Sequence, residues 1–540
     1  MAGSRRTLVC WISGSHRSAN ERSAPEYVWA MLRTLRKLNG RPLWAVIALL
    51  LIVGGVLGAR WWTHHAHQQR FITIGRHGFR VHGEPFFPMA VNYILSKRLV
   101  GDSLWLGPSI DYSDSLMAPR TRTADLAALR AQMELVREIG FNTVRLVGCS
   151  DLDVRDGHPG IPVRDTVNID RWLSLDPPNR ARYLLAMEDV VRIVGEAGLK
   201  AILLIGIRPN EPLSEEHFIS VADRFAEDTT VMAYDLYNEP LYFDPVWRDK
   251  NEIKAIGGHW RTLMREHAPW QLWTIGLANL REFLEWDPAV IDADFISFHP
   301  YEHEPGQVMN ELYYYGHHCP KPWIVGETSL PADNDSVPWA EQLDFARATL
   351  RRSAACGAWG YSWWQFQDVE WHRFHPDHMG VLDRKDSTRT RAGRMVRGSV
   401  KPVAEAFAQR ALFEQPGECD CRQDYYNWTG GSGYRLTGRL VNELGRGVPG
   451  GIVLAWTPDW MDSRNTVTRE DGTFELVTDL PLGHWMASAP GRTRAAGEVD
   501  NLVADTAGRG LVHRIGEVRL WSAFLAPSAS VSAEQQARTP

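Results

Sequence analysis

Two glutamates stand directly after short apolar stretches and could share one reaction. Glu239 follows residues 231–236 and precedes Pro240, and Glu327 follows Pro322–Val325. Short apolar runs that stop abruptly at a proline or glycine are typical of buried parallel strands. A glycosidic bond is cleaved with retention when one carboxyl group protonates the leaving oxygen while a second, roughly 5 to 5.5 Å away, attacks the anomeric carbon. We therefore expect folding to bring both carboxylates over one cavity.

The elements that must position these glutamates alternate between strand and helix over about 340 residues, which is typical of a (β/α)8 TIM barrel. No G-x-G-x-x-G sequence follows any strand, and this disfavours a doubly wound open sheet. Glu239 then ends strand 4 and Glu327 ends strand 7, across the catalytic face of the barrel. The predicted strands are 84–93, 143–147, 201–205, 231–236, 271–275, 294–298, 322–325 and 358–364.

The segments around the barrel, which spans residues 71–415, have different patterns. Residues 416–433 are polar and contain glycine, and we predict a linker there. Short alternating strands separated by turns follow in 434–522, and they predict a small all-β sandwich. Residues 523–540 are rich in Ser, Ala and Gln, a composition typical of a disordered tail.

The N-terminal region predicts a membrane anchor. Seventeen uncharged residues run from Leu43 to Ala59, close to the lower limit of about 17 to 25 residues for a bilayer span. More cations precede this stretch than follow it, so residues 1–42 should be cytoplasmic, 43–62 a single-pass signal-anchor helix, and the barrel extracytoplasmic, either periplasmic or extracellular. A cleaved signal peptide and a buried core helix are the alternatives.

The composition indicates which classes of ligand to expect. With 59 basic against 65 acidic residues and a net charge of −6, a broad basic surface for nucleic acid is not expected. The 23 tryptophans fit a carbohydrate site, although many of them must serve the core. The six cysteines include no C-x-x-C pair, so no zinc site is predicted, and the sequence assigns no disulfide. Chemistry by two carboxylates needs neither a metal nor a cofactor.

Five short motifs lie at the ends of predicted strands 2, 4, 6, 7 and 8. The region 71–415 resembles clan A of the glycoside hydrolases through them, and family 5, the cellulase and mannanase family, most closely. The motifs are Asn142–Leu146, Asn238–Pro240, Phe298–Tyr301, Gly326–Thr328 and Trp359–Trp364.

This resemblance implies a role for each of seven residues. Glu239 would be the acid/base and Glu327 the nucleophile. The other five would bind substrate or support the pair: Asn238 at the sugar 2-hydroxyl, Arg145 and Tyr301 holding and polarising Glu327, His299 beside the acid, and Trp363 flooring the sugar subsite.

Elementary electrostatics favours the same roles. A nearby cation such as Arg145 lowers the pKa of a nucleophilic carboxyl group, whereas the charge of a second carboxylate helps an acid to keep its proton. Trp363 and Trp364 point to opposite faces of their strand, so only one can meet the sugar, and we favour Trp363. A second Asn-Glu-Pro sequence, at 210–212, is interpreted as a loop without a catalytic role.

The C-terminal segment resembles the carboxypeptidase regulatory-like sandwich. The resemblance lies in Leu436–Val441, the turn Gly447–Gly451 and Arg469–Phe474 before a strand. It implies an accessory or spacer module.

The sequence thus predicts a membrane-anchored retaining glycoside hydrolase that acts within a β-linked polysaccharide of glucan or mannan type. A transglycosylase would use the same intermediate. A third hypothesis is an inactive polysaccharide-binding or secretion component. Family 5 members generally carry a histidine just after strand 3, and the corresponding residues Ile205–Arg208 include none.

Overall fold

The computed structural model describes most of the chain after residue 65. The described residues are 51, 53–54 and 66–524, apart from 110–120, 150–151, 156, 165–169, 210, 245, 302–304, 370–377, 409–416, 428–429, 500–502 and 508–509. The chain divides into two compact units, Met1–Gln68 and Gln69–Pro540. In the first unit, the described residues are helical up to residue 68.

The predicted segments at the two ends are largely beyond these limits. Residues 1–42, most of the predicted membrane segment 43–62, and residues 525–540 of the predicted tail lie outside the described residues. Among the helices that the structure does describe, none combines the length and the apolar character of a membrane span.

Eight parallel strands close into a barrel in the second unit. Each strand pairs with the next in chain order, and the last pairs with the first, so the predicted TIM barrel is confirmed. The strands are β1 Met89–Val100, β2 Thr143–Val147, β3 Lys200–Leu204, β4 Val231–Asn238, β5 Leu272–Ala278, β6 Ile296–His299, β7 Trp323–Val325 and β8 Tyr361–Trp363.

Helices connect the barrel strands, and they are numbered here in chain order. They are α1 Arg122–Ile139, α2 Pro177–Glu196, α3 Pro212–Phe225, α4 Pro240–Phe243, α5 Lys250–His267, α6 Asn279–Glu285, α7 Pro305–His318, α8 Trp339–Ala355 and α9 Ala404–Ala408. In the second Asn-Glu-Pro sequence, Asn210 lies outside the described residues, Glu211 precedes helix α3 in a non-helical conformation, and Pro212 is the first residue of that helix. At this position the missing N–H of a proline costs no hydrogen bond.

Helix α1 shows how local sequence sets these elements. The Thr121 hydroxyl accepts the N–H of Ala124 at 3.2 Å and caps the first turn. The helix buries an apolar stripe that includes Leu129, Met133 and Val136 against the barrel. It ends at Gly140, whose φ of 124° is strained for any residue with a side chain.

A small antiparallel sheet closes the amino-terminal end of the barrel. It consists of Thr73–Ile74, Phe79–Val81 and Glu84–Phe86. Phe79 packs edge-on against Phe295 with ring centroids 5.2 Å apart, in one apolar cluster with residues of β3, β4 and β7. The carboxyl ends of the strands are thus left to form the site.

Extra strands rise around the opposite, carboxyl end. Ser103–Pro108 pairs antiparallel with the second half of β1. After β2 an antiparallel insertion of Asp153–Arg155, His158–Arg164 and Asp170–Ser174 also attaches to β1. Ser387–Arg389 and Met395–Arg397 form a separate antiparallel pair. The insertion was not predicted, because its strands are short and rich in charge.

Two four-stranded sheets follow the barrel. They pack around one apolar core that includes Leu436, Val453, Phe474 and Trp485 from both sheets. In spatial order, the first sheet is Thr473–Thr478, Tyr434–Val441, Gly510–Arg519 and Val503–Ala507, and the second is Ser463–Val467, Ile452–Trp456, His484–Ser488 and Ala495–Glu498.

The sandwich is fastened to the barrel by specific contacts. The Tyr314 hydroxyl of α7 donates to the Gly450 carbonyl at 2.8 Å. The buried Lys250 ammonium of α5 donates to Asp287 at 2.6 Å and to the Ala489 carbonyl at 3.0 Å. A disulfide between Cys356, just after α8, and Cys419 ties the segment that leads into the sandwich to the barrel.

Candidate active site

The structure brings Glu239 and Glu327 together at the mouth of the barrel. Glu239 directly follows β4 and Glu327 follows β7 after one glycine. An oxygen of each carboxylate lies within 4.8 Å of one of the other. Both line a cleft of about 900 Å³. A separation this short is compatible with the roughly 5 Å that double displacement at an anomeric carbon requires.

The backbone itself aims the Glu239 side chain. Glu239 has a left-handed conformation, with φ 43° and ψ 68°, which is uncommon for a residue with a side chain. Its N–H donates to the Gly276 carbonyl of β5 at 2.9 Å, and Pro240 then starts α4. The buried Glu282 carboxylate holds this corner in place, because it accepts the N–H groups of Leu241 at 2.8 Å and Ala278 at 2.6 Å.

Glu327 is tied to donors from two strands. The Arg145 guanidinium of β2 donates to it at 2.5 Å. The Tyr301 hydroxyl, just after β6, donates at 3.4 Å to its other oxygen. Hydrogen bonds to the charged form stabilise an ionised carboxylate, so these contacts suit a nucleophile.

Arg145 is in turn held by three residues, and sequence reasoning missed two of them, Asp235 and Asn92. Asp235 of β4, fully buried, accepts from Nε at 2.9 Å and lies 2.8 Å from a second guanidinium nitrogen. The Asn92 amide oxygen of β1 accepts at 2.9 Å, and Asn238 accepts at 2.6 Å. A charged residue inside the apolar stretch 231–236 was a signal for Asp235, because buried carboxylates are paired.

His299 lies between the two glutamates. Its Nδ1 is 2.9 Å from an oxygen of Glu239 and 3.5 Å from an oxygen of Glu327. Burial lowers the pKa of His299 to about 4, so the ring is neutral near pH 7 and contacts Glu239 by a hydrogen bond. A Cβ at Gly276 would lie 2.6 Å from the imidazole, so only glycine there leaves room for the ring.

The two carboxyl groups both have a raised pKa but differ in their contacts. Burial raises the pKa of Glu239 and the pKa of Glu327, and the charge of Glu239 adds to the rise at Glu327. Arg145 is hydrogen-bonded to Glu327 and not to Glu239. This contact favours the ionised form at Glu327 more than at Glu239.

The expectation for Trp363 needs correction. Trp363 is fully buried, its indole N–H donates to the Met379 carbonyl at 2.9 Å, and its ring packs against Phe407. Trp364 lines the cleft instead. The reason is the parity of β8: the Ser362 hydroxyl meets Asn92 inside the barrel, so Trp363 faces the outer helices and Trp364 faces inward.

A metal is not needed to neutralise this cluster. Glu239, His299 and Glu327 have the composition of a cation site, and their ligand atoms lie within 4.8 Å of one another. The Arg145 guanidinium already supplies a positive charge at 2.5 Å from Glu327. The carboxylate pair can therefore work with the charges that the chain itself provides.

Comparisons with known proteins agree with this geometry at the level of the family. The family model described as Cellulase (glycosyl hydrolase family 5) matches residues 120–367. No curated protein sequence matches the chain.

Several solved structures are similar to the chain, all at low identity. The exo-β-1,4-mannosidase Op5Man5 of Opitutaceae bacterium strain TAV5 is 15% identical over 82% of this chain and 94% of that chain, with a TM-score of 0.44. The glycoside hydrolase family 5 mannosidase of Rhizomucor miehei is 13% identical over 65% and 99%, with a TM-score of 0.41. The β-glucuronidase 2 of Bacteroides uniformis is 12% identical over 82% and 47%, with a TM-score of 0.40.

The chain spans about half the length of that β-glucuronidase. The family match covers β2 to β8 with both glutamates, and the prediction of a family 5-like barrel is confirmed. Residues 120–367 thus form a domain of the cellulase family, glycosyl hydrolase family 5.

Proposed function

We propose that the protein hydrolyses a β-linked polysaccharide by double displacement, with Glu327 as nucleophile and Glu239 as acid/base. One observation carries this proposal. Two carboxylates lie within 4.8 Å at the open end of a closed barrel, and only Glu327 is hydrogen-bonded to the guanidinium. Two like groups in unlike surroundings are the arrangement that separates an acid from a nucleophile.

In the first step, the ionised Glu327 oxygen attacks the anomeric carbon while Glu239 passes its proton to the leaving glycosidic oxygen. A covalent glycosyl ester forms and the aglycon departs. Asn238 would donate its amide N–H to the 2-hydroxyl, since its oxygen is already held by Arg145 at 2.6 Å. Tyr301 and Arg145 hold Glu327 in line for the attack.

In the second step, the ionised Glu239 takes a proton from water, which attacks the anomeric carbon and releases Glu327. His299 contacts both carboxylates and keeps a hydrogen bond on Glu239 in either protonation state. Trp364 replaces Trp363 in our proposal as the aromatic floor of the subsite.

The cleft supports action within a chain. A volume of about 900 Å³ is at the upper end of the range for ligand sites, so it has room for several sugar rings. We expect products of intermediate length from β-glucans or β-mannans.

The test is chemical rescue of the purified full chain with azide. Glu239→Ala and Glu327→Ala should each lose about 10³-fold or more of the activity on a natural glycan. With an activated aryl β-glycoside and azide, Glu239→Ala should yield the β-glycosyl azide, because the intermediate still forms. Glu327→Ala should yield the α-glycosyl azide by direct displacement. Proton NMR of the product distinguishes the two.

Glu266, which is exposed on α5 and does not line the cleft, provides the control. Glu266→Ala should behave as wild type in the azide assay. The same azide anomer from both catalytic variants would refute the assigned roles. Longer products than substrates would favour the transglycosylase, and tight glycan binding without any turnover would favour the inactive binding component.

We further propose that the catalytic unit is extracytoplasmic and anchored through residues 43–62. The charge pattern around that stretch supports this orientation, and the Cys356–Cys419 disulfide fits an oxidising compartment. Protease treatment of spheroplasts should remove a C-terminal epitope tag and leave an N-terminal one. Protection of the C-terminal tag in spheroplasts as well as in cells would refute the proposal.

A further inference from the structure

Two aromatic side chains beside Glu239 are open to solvent. Tyr242 and Phe243 are the last residues of α4, they line the cleft, and their exposed fractions are 69% and 58%. In the described part of the chain only Trp521 and Phe524 are other aromatic residues more than half exposed, and neither lines the cleft. Adjacent apolar side chains that stay exposed inside a groove are typical of a ligand-binding surface. Tyr242 and Phe243 are called the aromatic platform below.

The two rings of the aromatic platform form a corner. Their centroids lie 4.9 Å apart and their planes cross at 76°. A pyranose ring has apolar C–H faces and a rim of hydroxyl groups. One aromatic ring can therefore lie against a C–H face while the other bounds the rim, and the Tyr242 hydroxyl can donate to or accept from a sugar hydroxyl. The corner thus matches a single sugar ring in shape and polarity.

The aromatic platform is tied to the catalytic acid through the backbone. The Glu239 carbonyl accepts both N–H groups of the platform, at 3.0 and 3.1 Å. Asp244, the next residue, accepts the Tyr237 hydroxyl at 2.8 Å and the Arg248 guanidinium at 2.7 Å. These contacts fix the platform relative to Glu239 before any sugar binds, so little ordering is needed on binding.

The position of the acid decides which sugar meets the aromatic platform. In double displacement the acid gives its proton to the oxygen that joins the departing sugar to the reacting one. In the proposed mechanism Asn238 and Trp364 contact the reacting sugar, which stays on Glu327. The platform follows Glu239 within one helical turn, about 5.4 Å of rise, and lines the same cleft. The sugar that it adjoins is therefore the departing one.

We propose that the aromatic platform is the subsite for the departing sugar, the first unit on the leaving-group side of the cleaved bond. This rests on the proposed function, because it adds a subsite to the same cleft. Stacking on the platform holds the glycosidic oxygen within reach of the Glu239 proton while the bond breaks. Once the glycosyl ester has formed, the same platform can hold an incoming sugar, whose hydroxyl then competes with water.

The experiment gives the purified full chain substrates that share a glycon and differ in the leaving group. Cellotetraose and β-1,4-mannotetraose leave as sugars, whereas β-cellobiosyl fluoride and β-mannobiosyl fluoride release only fluoride. Tyr242→Ala should lower kcat/KM on the cleaved tetraose by about 10-fold, the size of one strong aromatic contact. On the matching fluoride, kcat/KM should stay within about twofold of wild type. Phe243→Ala should act in the same direction.

Transfer to a sugar is a second measurement on the same variants. With the fluoride as donor and the matching disaccharide, cellobiose or mannobiose, as acceptor, we expect the wild type to form a tetrasaccharide besides the hydrolysis product. Tyr242→Ala should lower the ratio of transfer to hydrolysis by about 10-fold, because the acceptor loses its stacking partner.

Two further variants serve as controls. Tyr242→Phe keeps the ring and should keep most of the activity on the tetraose. Trp521→Ala removes an equally exposed aromatic ring outside the cleft and should change neither measurement. Because both platform rings are more than half exposed, their truncation removes little buried surface, and circular dichroism checks that the variants are folded. If one alanine variant does not fold, the other decides.

The possible outcomes separate this inference from the proposed function. Equal losses on tetraose and fluoride, or no loss on either, would overturn the inference while the proposed function stands. If no substrate is turned over, titration calorimetry decides. Tetraose binding that weakens about 10-fold in Tyr242→Ala would support a sugar subsite on the aromatic platform and count against the proposed function. Unchanged or absent tetraose binding would overturn the inference.

Discussion

Two clusters of buried charged residues in this protein differ in the number of carboxylates that each buried cation contacts. At the barrel–sandwich junction, Lys250 meets one carboxylate, Asp287, at 2.6 Å, and Asp287 also accepts the N–H groups of Ala289 at 2.8 Å and Gly491 at 2.6 Å. At the mouth, the Arg145 guanidinium contacts two buried carboxylates, those of Asp235 and Glu327.

The difference teaches what each cluster is for. A buried ion pair is stable when its charges balance and its remaining lone pairs are bonded, which describes the junction. At the mouth two carboxylates share one guanidinium, and burial raises the pKa of the neighbouring Glu239, which favours the protonated form that an acid needs. The junction uses charge to fix two modules together, and the mouth uses an imbalance of charge for chemistry.

The largest effect should come from removing the cation at the mouth. Arg145→Leu leaves Asp235 and Glu327 buried without their shared partner. We expect kcat/KM to fall about 10³-fold or more and the free energy of unfolding to fall by about 3 to 5 kcal/mol, as when one partner of a buried pair is lost. Enzyme kinetics and urea unfolding measure the two effects.

Arg137→Leu, on the exposed side of α1, is the control for that change and should alter neither quantity by much. Arg145→Lys keeps the charge without the fork and should be intermediate in activity. Near-normal activity of Arg145→Leu would mean that the mouth does not need its cation, and the contrast between the two clusters would fail.

The junction should lose stability without losing chemistry. Lys250→Met leaves Asp287 buried and unneutralised, so the free energy of unfolding should fall by about 3 to 5 kcal/mol while kcat of the folded enzyme stays within about twofold. Adding Asp287→Asn should restore part of the stability, because the uncompensated charge is gone. A large fall in kcat in the folded variant would show that the junction also serves the site.

The smallest effect concerns pH and Glu285, the last residue of α6. Glu285 accepts the Arg248 N–H at 3.1 Å, and burial raises its pKa to about 8. The folded protein therefore binds this proton more tightly than the unfolded chain does. The associated stability is complete below about pH 4.5 and is lost as pH rises toward 8.

Urea unfolding at pH 5, 6.5 and 8 measures this loss, which we expect to be on the order of 1 to 4 kcal/mol. Glu285→Gln should flatten the pH dependence over this range, and Glu266→Gln, at an exposed position of α5, should not. A profile of Glu285→Gln that still falls as steeply as wild type would assign the pH dependence to other groups.

Much of the barrel was predictable from sequence, because its strands are apolar runs that stop at turn residues. Glu239 and Glu327 could be found for the same reason, since each stands where such a run stops. The insertion after β2 and helix α3 could not, because tertiary contacts with β1 and the barrel, more than local pattern, hold those elements.

The supporting residues of the site were harder to predict. Asn92 of β1 lies beside Arg145 of β2 because of the register in which the two strands pair, and no local sequence pattern reveals that register. The prediction of Trp363 instead of Trp364 was wrong. Alternation along a strand shows that the two rings face opposite sides of the strand, but it does not show which of them faces the barrel interior.

The left-handed residue at the end of β4 has a consequence for anyone who would transplant this acid. The φ of Glu239 is 43°, its N–H donates to the Gly276 carbonyl, and Pro240 follows it. The backbone conformation at this residue therefore sets the direction of the carboxyl group. Copying the side chain onto another scaffold would not copy its aim. A designer would have to reproduce the bend in the main chain first, and the carboxyl group would follow.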